Sequence, residues 1–269
     1  LPISNPANLV VFHDGMPPLG HWLAAFGVPS VLSILTTYGV MRLIFRKDLQ
    51  AAIECEIDDV PLKSEGKLVL VGVGFMVATL LLTSSLKKDL GLPACLAALI
   101  ITAVMSIKAR EGPMKLVKEV SWGTLILVAG LFVMVDAVES IGLLNLTQRS
   151  LAWAEQLIPA VAATVVGFVV AVANNLVNNL PLGLIAGGTL HAAHSKGLLA
   201  NAVLIGVDLG PNLSITGSLA TILWLLALRK EQLNVSFWQF LKVGVIAMPI
   251  ALICSLAGAL IMSMIVPGT

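Results

Sequence analysis

The stretch Gly206-Val207-Asp208-Leu209-Gly210-Pro211-Asn212-Leu213-Ser214-Ile215-Thr216-Gly217-Ser218 decides the fold. It separates two apolar runs, 198 to 207 and 219 to 228. Crossing the hydrocarbon core of a bilayer, ~30 Å thick, takes roughly 20 mostly apolar residues. Neither run reaches that length, and together they do. Gly206, Gly210, Pro211 and Gly217 interrupt helical geometry between them, so the pair reads as one broken helix. Five polar side chains, Asp208, Asn212, Ser214, Thr216 and Ser218, gather at the interruption. An ordinary membrane helix carries an isolated Pro or Gly, but a carboxylate surrounded by amide and hydroxyl groups needs a polar environment. Half-helix ends then present dipole charge and open backbone groups to a solute or ion. Asp208 is the most informative residue. A carboxylate at membrane depth costs several kcal/mol, so it faces a cavity or a partner and exchanges a proton or binds a cation. Capping of the broken half-helix through a backbone amide is the other role open to it.

The rest of the chain supports a membrane setting. Apolar residues make up 58% of 269, charged residues 12%, and the mean hydropathy is +0.97, outside the range of a soluble domain. Five further runs are long enough to span: 22 to 45, 67 to 86, 91 to 108, 121 to 142 and 237 to 264. The expected fold is all-α and polytopic, with about seven transmembrane segments including a re-entrant hairpin at 157 to 190 and the broken helix at 198 to 228. Strict alternation places Arg42, Arg46, Lys47, Lys63, Lys67, Lys108, Arg110, Lys115, Lys118, Arg229, Lys230 and Lys242 on one side and Lys87, Lys88, Arg149 and Lys196 on the other. Twelve of the 16 cations on one face obey the positive-inside rule. The count holds only if 157 to 190 enters and leaves by the same face, which supports a hairpin there independently of its residues.

Two other constellations carry chemistry. Leu1-Pro2-Ile3-Ser4-Asn5-Pro6-Ala7-Asn8 contains a helix breaker, Pro6, beside Ser4, Asn5 and Asn8. It reads as the outer half of a second broken helix, or as a plain terminal loop. Asn174-Asn175-Leu176-Val177-Asn178-Asn179-Leu180-Pro181 places Asn174 with Asn178, and Asn175 with Asn179, at four-residue spacing. On one helix, ended or turned by Pro181, these form amide pairs on adjoining faces. Four amides at the tip of an apolar hairpin suit a hydroxylated or oxyanionic solute, or else bond neighbouring helices together. Asp136 and Glu139 either extend a proton path or reach interfacial water, and His191 and His194 are expected in water. Cys55, Cys95 and Cys254 lack the spacing of a zinc site, so no metal and no cofactor is expected. No Ser/His pair, HExxH or paired catalytic Asp lies at membrane depth, which argues against an enzyme. No nucleic-acid partner is expected; membrane lipid is.

Pro2-Ile3-Ser4-Asn5-Pro6 echoes Ser214-Ile215-Thr216-Gly217-Ser218, and the two units would run in opposite directions, as inverted repeats do. The expected organisation is a remnant of a first repeat at 1 to 45, a cytoplasmic linker at 46 to 66, and a second repeat at 67 to 269. The opening inside a motif, at Leu1, reads as a fragment of a longer chain.

Ile205 to Pro211, Ile215 to Trp224 and Val177 to Pro181, with Ser4 to Val10 and the linker start Phe45 to Asp48, resemble the arsenical pump membrane protein family of the ion transporter superfamily. The resemblance implies export of arsenite or antimonite from the cytoplasm in exchange for protons, in the bacterial inner membrane. It also implies a soluble ATPase as a partner in some members, and a homodimer is an arrangement to be considered. On this reading Asp208 couples protons, and the path is lined by Ser4, Asn5, Asn8, Asn174, Asn175, Asn178, Asn179, Asn212, Ser214, Thr216 and Ser218. Relatives carrying citrate-like anions, or exchanging sodium for protons, would use the same polar groups. A truncated module that transports nothing is the remaining alternative.

Overall fold

The computed structural model describes residues 5, 8, 11, 12, 17, 19–50, 64–86, 88, 90–109, 118, 122–140 and 142–266. Ser4, Pro6 and most of the linker lie outside the described residues. Ten α-helices are described: α1 (Leu19–Ile44), α2 (Ser64–Ser85), α3 (Gly91–Ala109), α4 (Trp122–Ser140), α5 (Leu143–Ala154), α6 (Pro159–Val177), α7 (Asn179–Ala192), α8 (Leu198–Leu209), α9 (Leu219–Lys230) and α10 (Phe237–Ile265). No strand occurs among the described residues, and the chain is an all-α polytopic membrane protein.

Among the described residues, five helices are long and apolar enough to cross a membrane: α1, α2 from Gly66, α3 to Lys108, α6 and α10. Four of these are expected spans. The fifth, α6, was expected as one arm of a re-entrant hairpin, yet its 19 residues contain no charge and reach full-span length. The expected span at 121 to 142 forms the 19-residue α4, several of whose side chains, Asp136 and Glu139 among them, lie outside the described ones.

The chain divides into two compact units, one of Gly15–Leu19 and Ala52–Ala129, the other of Leu1–Asp14, Gly20–Ala51 and Gly130–Thr269. In the smaller unit α2 packs against α3, with Gly72 set against the Ile101 side chain. Their outward faces are apolar: Val71 is 68% and Ile107 76% exposed, which suits a lipid solvent and not water.

The larger unit holds the polar motifs. In α1 the buried residues Trp22, Ala25, Phe26, Pro29 and Ser33 form one stripe at helical spacing. Pro29 of this stripe packs onto Gly258 of α10. Helix α10 begins with a capping box, in which Ser236 Oγ accepts from the Gln239 amide and Gln239 Oε1 accepts from the Ser236 amide. Small residues then let backbones approach. A Cβ on Gly206 would lie 2.7 Å from the Gly167 carbonyl oxygen, and one on Gly210 would lie 2.7 Å from that of Ala171. Gly206 and Gly210, like Gly167 and Ala171, are four residues apart, so α6 and α8 meet along facing small-residue ridges, the usual device for helix contact in lipid. Gly206 was expected among the helix breakers. It lies inside α8 instead, buried, and its role is this close contact.

Both ends of the α6–α7 pair lie together. Ser195, just past α7, donates to Glu155 Oε1, just before α6, at 3.1 Å. Helix α8 starts beside them and runs along α6 in the same direction, because Ala202 meets Gly167 while Val207 meets Asn174. Helix α10 runs the opposite way, with Leu256 at Gly167 and Gly244 at Leu213. The break between α6 and α7 therefore comes to the level of the break between α8 and α9.

Candidate functional site

The broken helix forms as expected. Helices α8 and α9 have 12 residues each, about 18 Å at 1.5 Å per residue, too short for a core of ~30 Å. Between them Gly210–Asn212 and Ile215–Gly217 make short 3-10 turns, separated by the extended Ser214. Pro211 sits in the first turn and Gly217 in the second, where a Cβ would lie 2.6 Å from the Pro211 Cα. Ser218 caps α9, its Oγ accepting from the Ala220 amide at 3.1 Å. Asn212 is exposed, and its carbonyl lies against Gly244 of α10. That glycine drew no attention in the sequence, where it is a lone Gly in the last apolar run.

The asparagines of the hairpin take a different arrangement from the expected one. The helix breaks at Asn178, whose φ of 76° and ψ of 156° are far from helical. Pro181 follows that break and lies buried in the first turn of α7, where its missing amide hydrogen costs nothing. The four amides are thus divided between two helices and do not pair with one another. Three bracket the broken helix: Asn174 Nδ2 donates to the Val207 carbonyl at 2.6 Å, Asn175 Nδ2 to that of Gly210 at 2.9 Å, and Asn178 Nδ2 to that of Thr216 at 3.0 Å. Asn175 is the hub. Its Oδ1 accepts from Ser214 at 2.7 Å and its backbone carbonyl from the Thr216 hydroxyl at 2.9 Å. Freed carbonyls of a broken membrane helix must find donors within the protein, and these side chains supply them.

The amino-terminal asparagines close the arrangement. Asn5 Nδ2 donates to Asp208 Oδ1 at 2.6 Å, and Asn5 Oδ1 accepts from Asn179 Nδ2 at 3.3 Å. Asn8 is fully buried, and hydrogen bonding turns its amide nitrogen toward the carboxylate, at 3.0 Å from Oδ1 and 3.2 Å from Oδ2. Asp208, near the end of α8, is therefore held by two residues some 200 positions away, and Asn5 links it to the start of α7. The buried Oδ1 atoms of Asn174, Asn178 and Asn179 accept no hydrogen bond among the described residues. Buried acceptors left open in this way are rare and mark places where a donor or an ion fits.

No group of His, Cys, Asp and Glu suited to a metal occurs among the described residues. His191, in the last turn of α7, and His194, just past it, have ring centroids 6.4 Å apart. The Asp136 and Glu139 side chains lie outside the described ones.

A family model described as "Arsenical pump membrane protein" matches residues 4–263, which takes in every one of these motifs. The chain belongs to the arsenical pump membrane protein family. An arsenical pump membrane protein of Yersinia enterocolitica is 25% identical over 244 residues, covering 87% of this chain and 57% of that protein. One of Escherichia coli is 26% identical over 251 residues with the same coverage. An uncharacterized transporter of Mycobacterium tuberculosis is 23% identical over 271 residues, 93% of this chain and 61% of its own. The chain spans somewhat over half the length of the curated relatives it matches. No solved structure matches it. Family membership and the five apolar helices make it a multi-pass bacterial membrane protein of a transporter family.

Proposed function

We propose that the protein from which this chain comes exports arsenite or antimonite in exchange for protons, with Asp208 as the coupling carboxylate. The observation that carries this reading is the Asn5–Asp208–Asn8 cluster at a helix break, in a chain of the arsenical pump family. An ionised carboxylate accepts only, and so satisfies both amide donors. Once protonated on Oδ2 it carries no charge and becomes a donor there, which leaves Oδ1 as the acceptor both amides share and weakens bonds that the charge had strengthened. Proton binding thereby loosens the tie between the amino-terminal segment and α8, which converts protonation into a change at the substrate path. Arsenite at neutral pH is an uncharged trihydroxide. It brings hydroxyl donors, and the open Oδ1 atoms of Asn178 and Asn179 offer acceptors without a cationic site.

On this proposal residues 67 to 269 form one repeat, 1 to 45 the remnant of another, and Ser4, Asn212, Ser214 and Thr216 complete the path. A soluble ATPase and a second copy of the chain are proposed partners, to be sought by co-purification from membranes. The full-length protein in everted vesicles is expected to accumulate arsenite when a pH gradient is imposed and to stop when the gradient is collapsed. Accumulation indifferent to the gradient would remove proton exchange from the account.

The same open acceptors support a second reading, cation-coupled carriage of an organic anion, because amide oxygens also ligate sodium. Growth protection against arsenite, set beside citrate uptake and salt tolerance, separates the two.

A further inference from the structure

Helices α5 to α8 enclose an open groove of about 580 Å³, within the ~300–1,000 Å³ range of small-molecule sites. Its inner wall is buried and apolar, with Ile185, Ala186 and Val203, and its rim exposes Trp153 and Val169. We propose that this groove holds an acyl chain of an anionic phospholipid whose phosphate rests on Arg149.

The polar lining points to this occupant. Thr147 and Thr189 bond each other at 2.7 Å, and Ser150 donates to the Leu146 carbonyl at 2.9 Å. Those hydroxyls are satisfied within the protein. Arg149 is exposed at the rim and makes no ion pair or hydrogen bond among the described residues. A guanidinium beside an apolar cleft complements a phosphate above hydrocarbon, since its fork binds phosphate oxygens in pairs. The helix that presents it has the character of an interfacial element. Helix α5 has 12 residues, too few to span, with Asn145, Gln148 and Arg149 on one stripe and Leu144, Leu151 and Ala154 on the other. Trp153, more than half exposed on its last turn, suits the headgroup level.

Native mass spectrometry of the protein, taken from membranes and equilibrated with equal amounts of phosphatidylglycerol and phosphatidylcholine, tests the assignment. The wild type is expected to retain phosphatidylglycerol in preference. Arg149→Gln is expected to reduce that preference about fivefold, the effect of one basic residue beside anionic lipid, and Arg149→Lys to keep part of it. Val169→Trp, which fills the groove from an exposed rim position, is expected to lose both lipids with its melting curve unchanged. Equal retention of the two lipids by the wild type overturns the proposal. So does a preference that survives Arg149→Gln, or a dimer that forms over the groove and excludes lipid.

Discussion

At the residue scale, side chains that look like a solute lining turn out to hold the backbone. Asn174 is fully buried, and its amide satisfies the Val207 carbonyl. Asn174→Ala is therefore expected to destabilise the protein by ~1–3 kcal/mol, the cost of an orphaned buried carbonyl, read as a lower melting temperature in detergent. Gly206→Ala, at an interior helical position, would gain helix propensity anywhere else. Here the added methyl meets the Gly167 carbonyl, and a loss of ~1–3 kcal/mol is expected from overpacking, measurable in the same assay. Both outcomes follow from contacts that no local pattern displays. The sequence marks Gly206 and Asn174 as unusual because they sit in apolar runs; which neighbour each one faces depends on two helices 33 residues apart being parallel. Asp208 was legible as a carboxylate in need of a partner. Its actual partners, Asn5 and Asn8, lie at the far end of the chain and only the fold brings them to it.

At the scale of elements, the place of the broken helix was readable, though not the part of every residue in it: Gly206 lies inside α8 and packs on α6. Short apolar runs, Pro211 and Gly217 are local signals, and local physics settles them, while Ser218, expected on the path, is found capping α9. The hairpin was readable in outline only. Its turn was expected near Pro181, because proline is the strongest breaker in the stretch, yet a proline in the first turn of a helix is stable and the unusual backbone falls to Asn178. The return of the hairpin to the level of its start rests on Ser195 and Glu155. A double variant, Glu155→Cys with Ser195→Cys, is expected to form a disulfide on mild oxidation in membranes, seen as a mobility shift reversed by reductant. Failure to cross-link, with both thiols reactive to maleimide, would contradict the hairpin.

At the scale of the molecule, large apolar side chains such as Val71, Ile107 and Leu176 stand exposed, as a lipid solvent requires and as composition predicts. The distribution of cations carries the proposed topology. Cysteines introduced at Lys47 and Lys230 are expected to react with an impermeant maleimide only in everted vesicles, and one at Lys196 only in right-side-out cells. The coupling proposal makes the most demanding claim, because it assigns one carboxylate the task of linking proton and solute. Asp208→Asn keeps the shape of the side chain and removes its proton. Arsenite flux through the full-length variant in vesicles is the most direct test. The account predicts that the variant still exchanges labelled arsenite across the membrane at equilibrium but loses at least ~90% of its pH-driven accumulation, as removal of an essential acid–base group implies. Accumulation equal to the wild type under the same gradient would contradict it.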